Sequence, residues 1–314
     1  MMKPRIVFMG TPDFAIPSLE ILLANGYPVI AVVSQPDRPK GRGRKLIPPP
    51  LKVVAEKYGI PVLQPESVRD LGFVEQFKQL SPDMIALAAF GQIIPKDILD
   101  IPPLGCLNVH PSLLPRYRGA APINWSLING DTATGVTIML MDEGMDTGDI
   151  LLQEETEIDP QEIYDDLHDR LSILGARLLL KAIEDRSAGK STPLRQDSSK
   201  ATYAPRLTKD MEHINWESGA DSLVNLIRGL SSDPGAYAFL REKKLKIYRA
   251  VAGKAGTSGE KAPGTIGTLM ESGLQITAQD GHVYLQEVQL EGKKRMPVDV
   301  FLRGFRLSAD DRLE

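Results

Sequence analysis

The chain has 314 residues, with 41 acidic and 37 basic side chains, a formal net charge of −4 and a single cysteine. At this length two domains, each burying its own core, are expected, while one cysteine and four scattered histidines exclude a disulfide framework and offer no metal-ligand spacing, so no metal is expected. No apolar run approaches the roughly 20 residues that span a bilayer, and the start of the chain enters a strand pattern without a cleavable signal, so a cytoplasmic protein with no membrane partner is expected.

In chain order, residues 5–9 are a short apolar run that ends in Gly10-Thr11-Pro12. Asp13 and Pro17 then open a helical pattern through Leu19, Leu22 and Leu23 that stops at Asn25-Gly26. Residues 29–33 read as a second buried strand, and segments 53–58, 62–63, 73–80 and 84–89 continue the alternation of helix and strand. Strands at 105–110, 135–141 and 150–153 follow, and a long amphipathic pattern from 161 to about 188, with Leu167, Leu171, Leu174, Leu178 and Leu179 as its stripe, closes the region. Such alternation predicts an α/β domain over residues 1–188, a doubly wound and mostly parallel sheet with helices on both faces.

Residues 189–208, mixed and polar with two prolines, read as a linker. Beyond them a helical pattern at 221–230 precedes short alternating runs at 236–240, 245–250, 265–270, 274–277 and 283–288. Close-spaced short strands over residues 209–314 predict a C-terminal β-barrel, for which a five-stranded oligonucleotide-binding fold is one candidate.

The net charge conceals local asymmetry. Residues 142–169 hold twelve acids and no lysine or arginine, whereas residues 37–45 hold five bases against one acid. The basic stretch lies within an insertion, residues 35–46, placed after a strand where a doubly wound fold needs only a few residues. Its prolines and glycines resist burial, and its spaced cations, Arg38, Lys40, Arg42, Arg44 and Lys45, suit phosphates as well as a solvated loop. The first turn has one glycine, Gly10, and no phosphate-cradling glycine motif, which argues against a nucleotide cofactor.

The stretch with most chemical content is Leu107-Asn108-Val109-His110-Pro111. Side chains alternate along a strand, so Asn108 and His110 share one face while Leu107 and Val109 share the other. Pro111 forces His110 out of helical geometry, which puts the pair at the carboxyl end of a strand, where open α/β sheets place ligands. The acidic loop 141–149, with Gly144 and Gly148 for a tight path, can return a carboxylate to that edge, and Asp146 is the candidate. An amide, an imidazole and a carboxylate together suit acyl transfer without a covalent intermediate. Asn108 and protonated His110 would donate to the developing oxyanion, with Asp146 holding the imidazolium. An isolated Asn-x-His is also compatible with a structural histidine, and Asp146 alone with a solvated turn. Cys106 reads as a small buried hydrophobe, and His168, His213 and His282 as structural.

Asn108-Val-His110-Pro-Ser-Leu-Leu-Pro115, followed by Gly119 and by Asp146-Thr-Gly148, resembles the signature of formyltransferases that use 10-formyltetrahydrofolate. Within that superfamily, residues 9–15 and the insertion Gln35-Pro-Asp-Arg-Pro-Lys-Gly-Arg-Gly-Arg-Lys45 are similar to the methionyl-tRNA formyltransferases. The resemblance implies transfer of a formyl group from 10-formyltetrahydrofolate, as cosubstrate, to the amino group of methionine esterified to initiator tRNA, as a step toward translation initiation. It implies oxyanion stabilisation by Asn108 and His110, orientation by Asp146, and a folate site lined by Ser112, Leu113, Leu114 and Pro115. The loop of Phe90, Gly91, Gln92, Ile93 and Ile94 would receive the pterin. Arg38, Lys40, Arg42, Arg44 and Lys45 would contact tRNA, with Arg42 foremost, and the C-terminal domain would be an RNA-binding, oligonucleotide-binding-fold barrel. A monomer is expected. The competing expectations are a formyltransferase acting on a small amine, such as glycinamide ribonucleotide or a sugar nucleotide, and a folate- or RNA-binding module without catalysis.

Overall fold

The computed structural model describes residues 2–40, 45–253, 262–308 and 310–314. The chain forms two compact units, one of residues 1–119, 134–156 and 168–204, the other of residues 120–133, 157–167 and 205–314.

The first part of the chain runs through β1 (Ile6–Gly10), α1 (Ile16–Ala24), β2 (Val29–Val33), β3 (Arg38–Lys40), β4 (Lys45–Ile47), α2 (Pro50–Lys57) and β5 (Val62–Leu63). It continues with α3 (Leu71–Leu80), β6 (Met84–Ala88), α4 (Lys96–Leu99), β7 (Cys106–His110), β8 (Arg118–Gly119) and α5 (Pro122–Ile128). Then come β9 (Ala133–Leu140), β10 (Ile150–Glu157), α6 (Tyr164–Ser187) and β11 (Tyr203–Ala204). Seven of these strands make one sheet in the order β10-β9-β7-β6-β1-β2-β5. The pairs from β7 to β5 are all parallel, and β9 runs antiparallel to β7. The expected doubly wound, mostly parallel sheet is the one observed.

Local sequence explains these elements. Every residue of β1, β6 and β7 is buried, as strands covered by helices on both faces must be. Asp70 caps α3 by accepting a hydrogen bond from Phe73 N at 3.0 Å. From β1 the chain winds outward to β2 and β5, then returns past β1 to β6 and β7. The order therefore reverses between β1 and β6, and the loops beyond their carboxyl ends border the crevice that this reversal opens.

The insertion at 35–46 differs from the expected loop in having a paired base. Arg38, Pro39 and Lys40 face Ile47, Leu46 and Lys45 in an antiparallel ribbon. Leu46 and Ile47 are exposed, so the ribbon buries no face and leaves no alternation for the sequence to reveal.

In the second unit, α7 (Ala220–Leu230) buries Leu223, Ile227 and Leu230 in an apolar cluster. The cluster also receives β12 (Ala236–Leu240), β13 (Lys243–Gly253), β14 (Ile266–Met270), β15 (Gly273–Thr277), β16 (His282–Leu290), β17 (Met296–Pro297) and α8 (Val298–Gly304). Adjacent strands are antiparallel, in the order β12-β13-β16-β15-β14 with β17 beside β16. Among the described residues this path does not return from β14 to β12. The short helices α4, α5 and α8 escaped the sequence reading because each spans two turns or fewer, too little for a period to register. Helix α5 lies close to α7: the Asn124 amide donates to Gly229 O at 2.8 Å, and a Cβ on Gly229 would meet Ile128 at 2.6 Å.

Candidate active site

Strand β7 runs between β6 and β9, with Asn108 beside Leu87 and Met139 and His110 beside Thr137. Val109 turns to the opposite face, toward α6, where a Cβ on Gly175 would lie 2.5 Å from its Cγ1. Asn108 is 7% exposed.

His110 is 4% exposed. Its Nε2 lies 2.9 Å from Tyr117 O, and a carbonyl only accepts, so Nε2 carries a proton and donates it there. Nδ1 lies 3.7 Å from Asp146 Oδ1, within ion-pair range but longer than a hydrogen bond. The other oxygen of Asp146 accepts from Gly119 N at 2.8 Å.

The acidic loop is locally built to present Asp146. Asp142 Oδ1 accepts from Gly144 N at 3.0 Å and from Thr147 Oγ1 at 2.6 Å, which draws the turn together. Asp146 has the left-handed φ of 54°. At Gly148 a Cβ would stand 1.9 Å from Leu140 O, so only glycine passes that close to the end of β9. The backbone is held from outside by Gln196, whose Nε2 donates to Asp146 O at 2.9 Å and Gly148 O at 2.7 Å.

The loop after β7 is tied just as closely. Thr137 Oγ1 donates to Ser112 O at 2.7 Å and accepts from Leu114 N at 3.1 Å. Gln153 Nε2 donates to Leu114 O at 3.0 Å, and Ser112 Oγ to Arg116 O at 2.7 Å. Ser112 and Leu114 are buried, Leu113 and Pro115 partly so. In the loop after β6, the side chains of Phe90 and Ile94 lie in the core with Met9, Val33 and Leu87. Gln92 bridges to residues 66 and 68, its Oε1 accepting from Val68 N at 3.0 Å and its Nε2 donating to Glu66 O. This leaves Gly91 and Ile93 facing solvent.

Of the basic residues, Arg38 and Lys45 are exposed on the ribbon, with Arg38 3.6 Å from Glu66. Lys40 ends β3; its side chain, and Arg42 and Arg44 entirely, lie outside the described residues. The one acid of the stretch, Asp37, is taken up by Gln64 and by Lys52 at 2.9 Å, and hydrogen bonds from these two hold its carboxyl below the usual range. Burial, helped by Asp100, pushes the Cys106 thiol up to about 12, which leaves it no role as a nucleophile.

The structure thus brings His110 and Asp146 together, with Asn108 on the same face of β7. Tyr117 and Gln196, which hold these groups, and Thr137 and Gln153, which hold the loop after β7, went unnoticed in the sequence because each acts through a tertiary contact that carries no local pattern. A cavity of about 570 Å³ at the end of β5, lined by Gln64, Glu66, Asp70, Phe73 and Gln76, includes none of the three. Among the described residues no group of three or more His, Cys, Asp or Glu could hold a metal ion, and no helix is long and apolar enough to cross a membrane.

Residues 4–183 match the model of the formyl transferase family, and residues 206–306 match that of the formyl transferase C-terminal domain. A methionyl-tRNA formyltransferase of Syntrophus aciditrophicus is 58% identical over 308 residues, covering 98% of each chain. One of Geotalea uraniireducens is 51% identical over 304 residues, 97% of this chain and 96% of its own. Among solved structures, HypX from Aquifex aeolicus in complex with tetrahydrofolic acid has a TM-score of 0.66 at 17% identity, over 96% of this chain and 47% of that one. The sugar 3N-formyl transferase WlaRD has a TM-score of 0.67 at 21% identity, over 94% of this chain and 100% of its own. At such identities the likeness is one of fold.

Proposed function

The chain belongs to the formyl transferase family, and we propose on that premise that it moves the formyl group of 10-formyltetrahydrofolate to the amino group of methionine esterified to initiator tRNA. The observation that carries the mechanism is the placement of Asn108 on the face of β7 where His110 meets Asp146. This donor set fits a formyl carbonyl. The folate supplies an activated formyl carbon and a nitrogen leaving group.

As the methionyl amine forms its bond to that carbon, negative charge grows on the formyl oxygen. Asn108 donates to that oxygen, and His110, protonated on both nitrogens, adds positive charge beside it. Asp146 holds the imidazolium and helps move one proton from the attacking amine toward the departing N10. One C–N bond forms and one breaks, with no covalent enzyme intermediate and no redox change.

Ser112, Leu113, Leu114 and Pro115, fastened by Thr137 and Gln153, line the folate side, and the loop from Phe90 to Ile94 offers Gly91 and Ile93 to the pterin. Arg38, Lys40, Arg42, Arg44 and Lys45 meet the tRNA phosphates, Arg42 being the principal contact. With Asp37 paired to Lys52, the one acid of the stretch is already engaged. The enzyme acts as a cytoplasmic monomer, and the C-terminal antiparallel sheet assists in holding RNA. The test is formyl transfer from 10-formyltetrahydrofolate to charged initiator tRNA, with glycinamide ribonucleotide as a competing acceptor. Preferential formylation of the small amine would overturn the choice of acceptor.

A further inference from the structure

Gln196 lies in a stretch whose composition reads as connecting chain, yet it is 7% exposed and fully hydrogen-bonded. Its Oε1 accepts from both Nε and Nη2 of Arg118, at 3.1 and 2.8 Å. Its Nε2 donates to Asp146 O and Gly148 O. A guanidinium only donates and a carbonyl only accepts, so the orientation of this amide is dictated by its partners. Only a carboxamide offers one acceptor oxygen beside two N–H donors, and Gln carries it one methylene farther than Asn.

Arg118 is itself 3% exposed, with Ser198 Oγ as its other hydrogen-bond partner. Its neighbours in sequence face the same centre: Tyr117 O accepts from His110, and Gly119 N donates to the Asp146 carboxylate. The contacts form a closed circuit from His110 through Tyr117 and Arg118 to Gln196, on to Asp146 and back to His110. Within it Gln196 joins the segment 117–119, which binds His110, to the loop that carries Asp146. Asp146 depends on such a joint because its left-handed backbone, with φ of 54°, is unfavourable for a residue with a side chain.

We propose that Gln196 is a positioning residue for formyl transfer, fixing the backbone of the Asp146 loop against Arg118 so that the carboxylate faces His110. This rests on the reading of Asp146 as a catalytic group. Gln196→Glu keeps an acceptor for Arg118, which favours retention of the fold, but turns an oxygen toward the two loop carbonyls. Gln196→Asn keeps the amide and withdraws it by one methylene.

Both variants, measured per folded active site, should lose kcat by about 10²-fold, as expected for a displacement of roughly 1 Å at a catalytic group. KM for folate and for tRNA should stay within about threefold, because the groups that bind substrate are untouched. The pH profile of kcat should shift as well. A purely structural role would lower Tm and leave kcat and the profile of the folded fraction unchanged, and that result in either variant would overturn the proposal. Asp146→Ala in the same assay separates the two layers. An active Asp146→Ala sinks the catalytic reading and this proposal with it, whereas an inactive Asp146→Ala beside a fully active Gln196→Glu sinks the positioning role alone.

Discussion

His110 Nδ1 lies 3.7 Å from Asp146 Oδ1, close enough for an ion pair and too long for a hydrogen bond. Both side chains are anchored by backbone groups of one segment, His110 by Tyr117 O and Asp146 by Gly119 N. The separation is therefore set by residues 117–119 and not by mutual attraction. Catalytic hydrogen bonds are often long without substrate and tighten when charge develops. The pair is held ready rather than fully engaged.

Replacing Asn108 by alanine should lower kcat by about 10²–10³-fold, the usual cost of removing one oxyanion donor, and replacing His110 should lower it as well by removing the charge beside that oxygen. Folate affinity should change little, because these groups act on an oxygen that gains its charge only during reaction. Steady-state kinetics with equilibrium folate binding checks this, and retained turnover would sink the assignment.

The contrast between legible and hidden parts has a physical basis. The juxtaposition of Asn108, His110 and Asp146 could be read because strand alternation puts Asn108 and His110 on one face, and Pro111 and the glycines of the acidic loop mark the neighbourhood. The strands of the central sheet could be read because burial on both faces leaves continuous apolar runs, such as residues 6–9 and 84–88. Gln196 and Arg118 could not. They meet across 78 positions of sequence through polar atoms, and a polar residue in a proline- and serine-bearing stretch looks like any solvated connector. The ribbon of β3 and β4 was hidden for the opposite reason, having no buried side to impose a period.

Neutralising the insertion should weaken RNA binding without affecting the chemistry. With Arg38, Lys40, Arg42, Arg44 and Lys45 replaced together by glutamine, KM for tRNA should rise while kcat at saturation is kept. The slope of log affinity against log salt should flatten by about 0.7–0.9 for each phosphate that the loop no longer neutralises. Titrations at several salt concentrations measure it, and an unchanged slope would mean that these cations do not touch RNA.

In the second unit, Arg241 grips Asp311 with two hydrogen bonds, 2.7 and 2.6 Å, and Ser308 N adds a third at 2.7 Å. The Arg241 hydrogen bond is the main cause that lowers the Asp311 carboxyl from 3.8 to about 2. A depressed carboxylate stabilises the fold above its unfolded pKa and loses that contribution as pH falls through the folded one. The Asp311 contribution should thus be constant at neutral pH and disappear between about pH 4 and pH 2. Asp311→Asn should lower Tm at pH 7 and leave the two proteins equally stable near pH 2. A Tm difference that persists unchanged at pH 2 would refute the assignment.

Ending the chain after residue 204 tests how far the early segments of the second unit depend on the rest of it. That unit includes residues 120–133 and 157–167, so the cut removes the partners of α5 while α5 itself remains. The Asn124 amide is then without Gly229 O, a buried hydrogen bond with a net contribution of about 1 kcal/mol. Ile128 is parted from the apolar cluster it packs against, at about 1.5 kcal/mol or more. At this size each kcal/mol lowers Tm by about 2–4 °C, so the truncated chain should melt about 5–10 °C below the whole protein. It should also bind a hydrophobic dye on the uncovered face of α5 and bind tRNA poorly. Calorimetry and dye fluorescence read the first two effects. A truncated chain with the Tm of the whole protein and no dye binding would mean that α5 is stable without α7.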